Sequence, residues 1–142
     1  MRSRGVDAMQ KVKTKTIIQK INFQCTPHEL YDALMDSKKH SHFTDAKAVI
    51  SDKIGGSFST YGGYSSGKNV ELVKDKKIVQ TWRAEDWPDG HFSAVTFEMK
   101  KSPSGGTLLV FTQEELPVSV AKDIEAGWKL YYWKPLKLFL EK

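Results

Sequence analysis

The feature that most constrains this chain is its C-terminal run from Val120 to Leu140. At helical spacing, Val120, Ile124, Trp128, Tyr131, Tyr132, Pro135, Leu138 and Phe139 fall on one face. Asp123, Glu125, Lys129, Lys134 and Lys137 spread over the remainder. Such a helix is about 30 Å long, enough to cross a small domain. Its two chemical sides suit a helix lying across a sheet, not one passing through a membrane. A second apolar row, Leu130, Trp133, Leu136 and Leu140, lies off the main stripe and calls for a cover of its own. The first strand or the N-terminal helix is the expected cover, with another molecule as the alternative. Pro135 has no N–H for the Tyr131 carbonyl, so a kink is expected there.

Upstream, residues 11–24 alternate, with Ile17, Ile21 and Phe23 on one side, which reads as a half-buried strand. Thr26-Pro27-His28-Glu29 then carries a helix-start signature: a capping threonine, proline at the first helical position and glutamate closing a capping box. Leu30, Tyr31 and Leu34 give that helix its apolar face. Ser37 to Asp45 is polar and reads as a short second helix or a loop. From Ala46 to Glu114, turn clusters at Gly55-Gly56, Gly62-Gly63, Ser65 to Gly67, Lys74-Asp75 and Ser102 to Gly106 are spaced a strand apart. Between them lie Ser57–Tyr61, Lys68–Val73, Ile78–Ala84, Ser93–Lys100 and Thr107–Gln113. Leu108 to Phe111 is apolar on both sides, which leaves its inward face open. The order of strand, helices, strand meander and long helix predicts an α+β domain with its helices on one face.

The chain is the length of one domain, assigned to residues 11–142, with residues 1–10 expected to be a disordered tail or an expression remnant. No apolar run approaches a membrane span and no signal peptide is evident. A single cysteine, Cys25, excludes an internal disulfide and fits a reducing, cytoplasmic setting. The net charge of +5 comes almost wholly from scattered lysines, a solvated surface and not a nucleic-acid footprint.

Motifs for chemistry are sparse. The glycine pairs fit no phosphate loop, so no nucleotide cofactor is expected. His40 and His42 form an H-x-H without a third ligand nearby, and read as a polar loop pair, with no metal. No serine sits in a nucleophile-elbow context, and the carboxylate pairs Glu85-Asp86 and Glu114-Glu115 read as solvated edges. The aromatic residues say more. Each alone is best read as core, yet together they can line a cavity between sheet and helix. The cavity candidates are Phe43, Trp82, Trp87, His91, Phe92, Phe97, Phe111, Gln113, Trp128, Tyr131 and Tyr132.

Gly55-Gly56-x-Phe58, Trp82-Arg83, Trp87-Pro88-Asp89-Gly90-His91-Phe92 and Gly127-Trp128 followed by Tyr131-Tyr132 resemble one family over essentially the whole domain. It is the C-terminal domain of the activator of heat-shock protein 90 ATPase, within the START-like, birch-pollen-allergen-like (SRPBCC) superfamily. The resemblance implies a helix-grip fold: a curved antiparallel sheet of about six or seven strands around a long C-terminal helix. It carries no shared catalytic residues, so no enzymatic role is implied. Eukaryotic activators place a separate chaperone-contacting domain ahead of this one, and these residues hold no counterpart. Two functions follow as expectations: binding of an apolar or aromatic small molecule between sheet and helix, or co-chaperone-like docking onto an Hsp90-type ATPase. A cavity enzyme such as a cyclase has no positive sequence support.

Overall fold

In a computed structural model that describes residues 12–141, seven strands form one antiparallel sheet. The expected tail, residues 1–10, lies outside the described residues. The strands are β1 (Thr14–Phe23), β2 (Val49–Ile50), β3 (Ser57–Thr60), β4 (Ser65–Val73), β5 (Lys77–Ala84), β6 (Ser93–Lys101) and β7 (Thr107–Pro117). Their order across the sheet is β1-β7-β6-β5-β4-β3-β2, so the first strand closes against the last. The helices are α1 (Pro27–Met35), α2 (Ser37–Thr44), α3 (Ala121–Trp128) and α4 (Lys134–Leu140). This is the α+β helix-grip arrangement, with the C-terminal helix lying on the sheet.

Local chemistry accounts for the elements. The Thr26 side chain accepts from the Glu29 N–H at 3.1 Å, and the Glu29 carboxylate accepts from the Thr26 N–H at 2.8 Å, completing the capping box of α1. Helix α2 lacks apolar periodicity, but the Asp36 carboxylate caps its start and Asp45, at φ 53°, ends it in a left-handed turn. Strand β5 alternates throughout, β6 over 93–99 and β7 over 107–113, sending Ile78 and Trp82, Val95, Phe97 and Met99, and Leu109, Phe111 and Gln113 inward. In β4, Gly67 is required by close approach, because a Cβ there would stand 1.8 Å from the Thr81 carbonyl oxygen.

The C-terminal run differs from the single regular helix expected of it. It begins with a 3₁₀ turn (Val118–Val120), passes through α3, and then makes a π turn (Lys129–Trp133) before α4. In that turn the Lys134 N–H bonds the Lys129 carbonyl, five residues back. In a regular helix two residues five apart lie about 140° out of phase. The π turn takes up most of that offset. Trp128 and Trp133 therefore stack, with centroids 5.5 Å apart and planes 18° apart. The inward stripe becomes Ile124, Trp128, Tyr132, Trp133 and Leu136, whereas Tyr131 and Leu138, placed in the stripe by regular spacing, are exposed. The second apolar row is covered from within the chain: Trp133 lies on Phe111 and Leu136 is fully buried. Its other members divide, Leu140 half-buried against the core and Leu130 exposed.

Candidate functional site

Two buried glutamines tie the C-terminal helix to the sheet. From β7, Gln113 accepts the Trp128 Nε1–H at 2.8 Å through Oε1 and donates from Nε2 to Ser93 Oγ at 2.9 Å. Ser93 passes its own proton to the Trp82 carbonyl at 2.8 Å. From β1, Gln19 accepts the Trp133 Nε1–H at 2.6 Å and donates to the Glu125 carbonyl at 3.0 Å. Every polar atom in these two clamps is used, which fixes the helix at one height and rotation over the sheet.

A second polar chain crosses the interior from α2. His40 Nδ1 lies 3.1 Å from the Leu34 carbonyl and Nε2 3.1 Å from Tyr132 Oη. A carbonyl can only accept, so Nδ1 carries the proton and Nε2 is left as an acceptor facing the Tyr132 hydroxyl. Tyr132 Oη is in turn 3.2 Å from Thr60 Oγ1, which bonds Ser65 Oγ. The Tyr132 hydroxyl donates to Thr60 Oγ1 and also lies within reach of His40 Nε2. Burial is the main cause that lowers the His40 pKa from 6.5 to about 4, so the imidazole is neutral. Burial likewise raises the Tyr132 phenol well above its ordinary range.

With these clamps in place the space between sheet and helix is nearly filled. The central void among Leu34, His40, Phe58, Trp82, Phe97 and Tyr132 measures about 20 Å³, room for about one water. The larger space lies at the side, where a cleft of about 450 Å³ opens to solvent between α3, the π turn and the 3₁₀ turn after β3 (Tyr61–Gly63). Trp82, Trp128 and Tyr132 are buried side chains that line it, and the half-buried Tyr61 and the exposed Tyr64 and Tyr131 line it too. Among the described residues Asp123 is its only charged lining residue.

Tyr61 is positioned by two features. It stands at φ 51° ahead of Gly62 and Gly63, both at positive φ, in a turn that glycine makes accessible. Its hydroxyl donates to the Tyr131 carbonyl, the group that Pro135 cannot serve. The expected consequence of Pro135 was a kink; the structure shows a freed carbonyl that ties the Tyr61 turn to the helix. Burial, with Tyr131 beside it, pushes the Tyr61 phenol up to about 12.

Of the residues expected to line a cavity, Trp82, Trp128, Tyr131 and Tyr132 meet at this cleft. Phe97 borders the central void, and Phe111 and Gln113 are fully buried core. Phe43 packs between His40 and Phe139. Trp87 is buried against Trp82, and its indole N–H has no hydrogen-bond partner among the described residues. His91 bonds the Glu115 carbonyl at 2.9 Å, and Phe92 is exposed under the Arg83 guanidinium. These three belong to the β5–β6 loop, which Arg83 organises by donating to the Trp87, Pro88 and His91 carbonyls at 2.7, 3.3 and 3.4 Å. His40, read as half of a polar loop pair, is a buried helical residue; His42 is exposed. Tyr61, Tyr64, Ser65, Asp123 and Ile124 complete the cleft but escaped sequence reading. They come from the turn after β3, the start of β4 and a helix far away in the chain, and share no local pattern.

Gly127 also lines the cleft. A glycine in a helix lying on a sheet suits a close approach of the two at that turn, but the structure shows no such approach. An added Cβ would meet only Tyr131 Cδ2, at an ordinary 3.8 Å. Gly127→Ala should therefore stabilise the fold by about 0.5–1 kcal/mol in urea melts, the helix-propensity gain. A loss of stability would show that the helix is closer to its neighbours than described.

Comparison with known proteins places this architecture. The profile of the family described as Activator of Hsp90 ATPase homolog 1-like protein matches residues 24–141. An activator of 90 kDa heat shock protein ATPase homolog from Dictyostelium discoideum is 36% identical over 120 residues, covering 84% of this chain and 31% of the relative. The homolog 1 of that activator from Homo sapiens is 32% identical over 127 residues, covering 89% and 37%. The chain thus spans about a third of the length of these relatives. Among solved structures, an HSP90 activator from Plasmodium falciparum superposes with a TM-score of 0.84 at 24% identity, covering 89% of this chain and 96% of that one, a likeness of fold.

Proposed function

The chain belongs to the Activator of Hsp90 ATPase homolog 1-like family, and from that premise we propose that it is a non-catalytic, co-chaperone-like protein that docks on an Hsp90-type chaperone and modulates its ATPase. The observation that carries this reading is the similarity itself, over most of this chain, to proteins named as activators of that ATPase. The packed interior supports it, since a void of about 20 Å³ leaves no room for an enclosed ligand at the centre of the fold.

The surface we assign to docking is the outward side of the C-terminal helix. Leu130 and Leu138 are exposed there, beside the exposed Lys122, Lys129 and Lys134. Apolar side chains framed by cations suit a partner surface that carries carboxylates around an apolar centre. Titration calorimetry of the chain against the Hsp90-type chaperone of its own organism tests this. Saturable binding that weakens with added salt, and weakens by about tenfold in a Lys129→Glu, Lys134→Glu double variant, is the expected result. Binding unaffected by the double variant would move the contact elsewhere, and absence of binding would remove the reading.

A further inference from the structure

The side cleft has a chemical character that docking does not use. In a chain of net charge +5, the only charged residue lining it among the described residues is an acid, Asp123, and no described lysine or arginine lines it. Two more carboxylates, Glu85 and Asp86, stand close enough to act with Asp123 on the Tyr64 phenol at the rim. Among the described residues, none of the three has a cation within 4.0 Å. The remaining lining is mostly aromatic: Tyr61, Tyr64, Trp82, Trp128, Tyr131 and Tyr132. Aromatic faces carry negative potential, and tryptophan and tyrosine are strong partners for a cation.

We propose that this cleft is a binding site for a small organic cation with an apolar body, its ammonium group held at Asp123 among the tyrosines and its body against Trp82 and Trp128. The volume of about 450 Å³ suits a small molecule and not a folded element. Charge decides among small molecules. A neutral body covering the mouth strips water from Asp123 and returns nothing for it, whereas an anion meets three carboxylates. A cation offsets that cost and gains the aromatic faces. A quaternary ammonium suits the cleft because most of the surface that lines it is apolar. The site is independent of the chaperone-docking reading, which concerns the opposite, lysine-bearing side of the helix.

Two probes that share one shape isolate the charge, benzyltrimethylammonium and its uncharged isostere neopentylbenzene, and the smaller anion phenylacetate tests the opposite sign. Binding is read from tryptophan emission, since Trp82 and Trp128 line the site. The expected result is a saturable response to the cation at about tenfold lower concentration than to the isostere, and none to phenylacetate. Asp123→Asn, an exposed position, should bring the cation to the level of the isostere with the melting temperature unchanged. Gly127→Leu should abolish the response to both by filling the cleft, and circular dichroism melts verify that this variant folds. Equal affinity for cation and isostere, an Asp123→Asn protein that binds the cation as before, or no saturable response to any probe would each overturn the proposal.

Discussion

Trp128→Ala lowers the unfolding free energy by about 3–5 kcal/mol, the range for truncating a large buried aromatic. The upper part of that range is expected because two costs combine. The indole is 3% exposed and its ring centroid lies 4.4 Å from that of Phe111, 4.7 Å from that of Tyr132 and 5.5 Å from those of Trp82 and Trp133, so its removal opens a cavity at the centre of the aromatic core. It also strands Gln113 Oε1, which is fully buried and accepts its bond from Trp128 Nε1. Trp128→Phe separates the two costs. It retains most of the volume and loses the N–H, so about 1–3 kcal/mol should remain. Urea melts of both variants measure this, and a loss below about 1 kcal/mol for the alanine variant would mean that the helix is not anchored through this residue.

Acid should unfold the protein through His40. The folded chain holds this imidazole neutral down to about pH 4, whereas the unfolded chain takes up the proton near 6.5. Between those values the unfolded state binds more protons, so stability falls as pH falls. The loss is absent above about pH 7 and complete below pH 4. Integrated across that window at 1.36 kcal/mol per pH unit, it amounts to about 3 kcal/mol. Carboxylates contribute their own acid dependence, so the readout is a difference. His40→Gln should be less stable than the parent at pH 7.5 because the bonds to Leu34 and Tyr132 are disturbed. Its further loss on going to pH 4.5 should be smaller than the parent's by about 2–3 kcal/mol. Parallel pH profiles for the two proteins would show that His40 titrates normally in the fold.

The two residues illustrate what the sequence could and could not convey. Trp128 was legible as an anchor because α3 keeps regular spacing from Ile124 to Trp128, and the capping box of α1 and the alternation of β6 were legible for the same reason: each pattern is local. His40 was not, since α2 (SKKHSHFT) shows no apolar period, and besides Phe43 of its own helix its burial is imposed from outside, by Tyr132 of the C-terminal run and the Leu34 carbonyl of the preceding helix. The inward face of Leu108 to Phe111 was undecided for a related reason. Both sides are apolar, and only pairing between β1 and β6 selects Leu109 and Phe111 for the core.

The π turn caused the largest misreading. A fixed helical period assigned Tyr131 and Leu138 to the core and set Trp133 and Leu136 apart, and one residue of extra winding reverses those assignments. Nothing in the local sequence announces it except Pro135. The cleft depends on that same turn, because it exposes Tyr131 and frees the carbonyl that holds Tyr61. Four of its aromatic residues were named from the sequence. Its acidic member, Asp123, looked like any solvated residue on the polar side of a helix. Only the tertiary placement of Tyr61 and Tyr64 opposite α3 turns it into part of a site.

Steady-state ATP hydrolysis by the Hsp90-type chaperone of the same organism, followed as this chain is added, is the most direct test of its role. A saturable change in the chaperone's rate, with no hydrolysis by the chain alone and a weaker effect from the Lys129→Glu, Lys134→Glu variant, is the outcome predicted. A chaperone rate that stays constant at every ratio of the two proteins would contradict it.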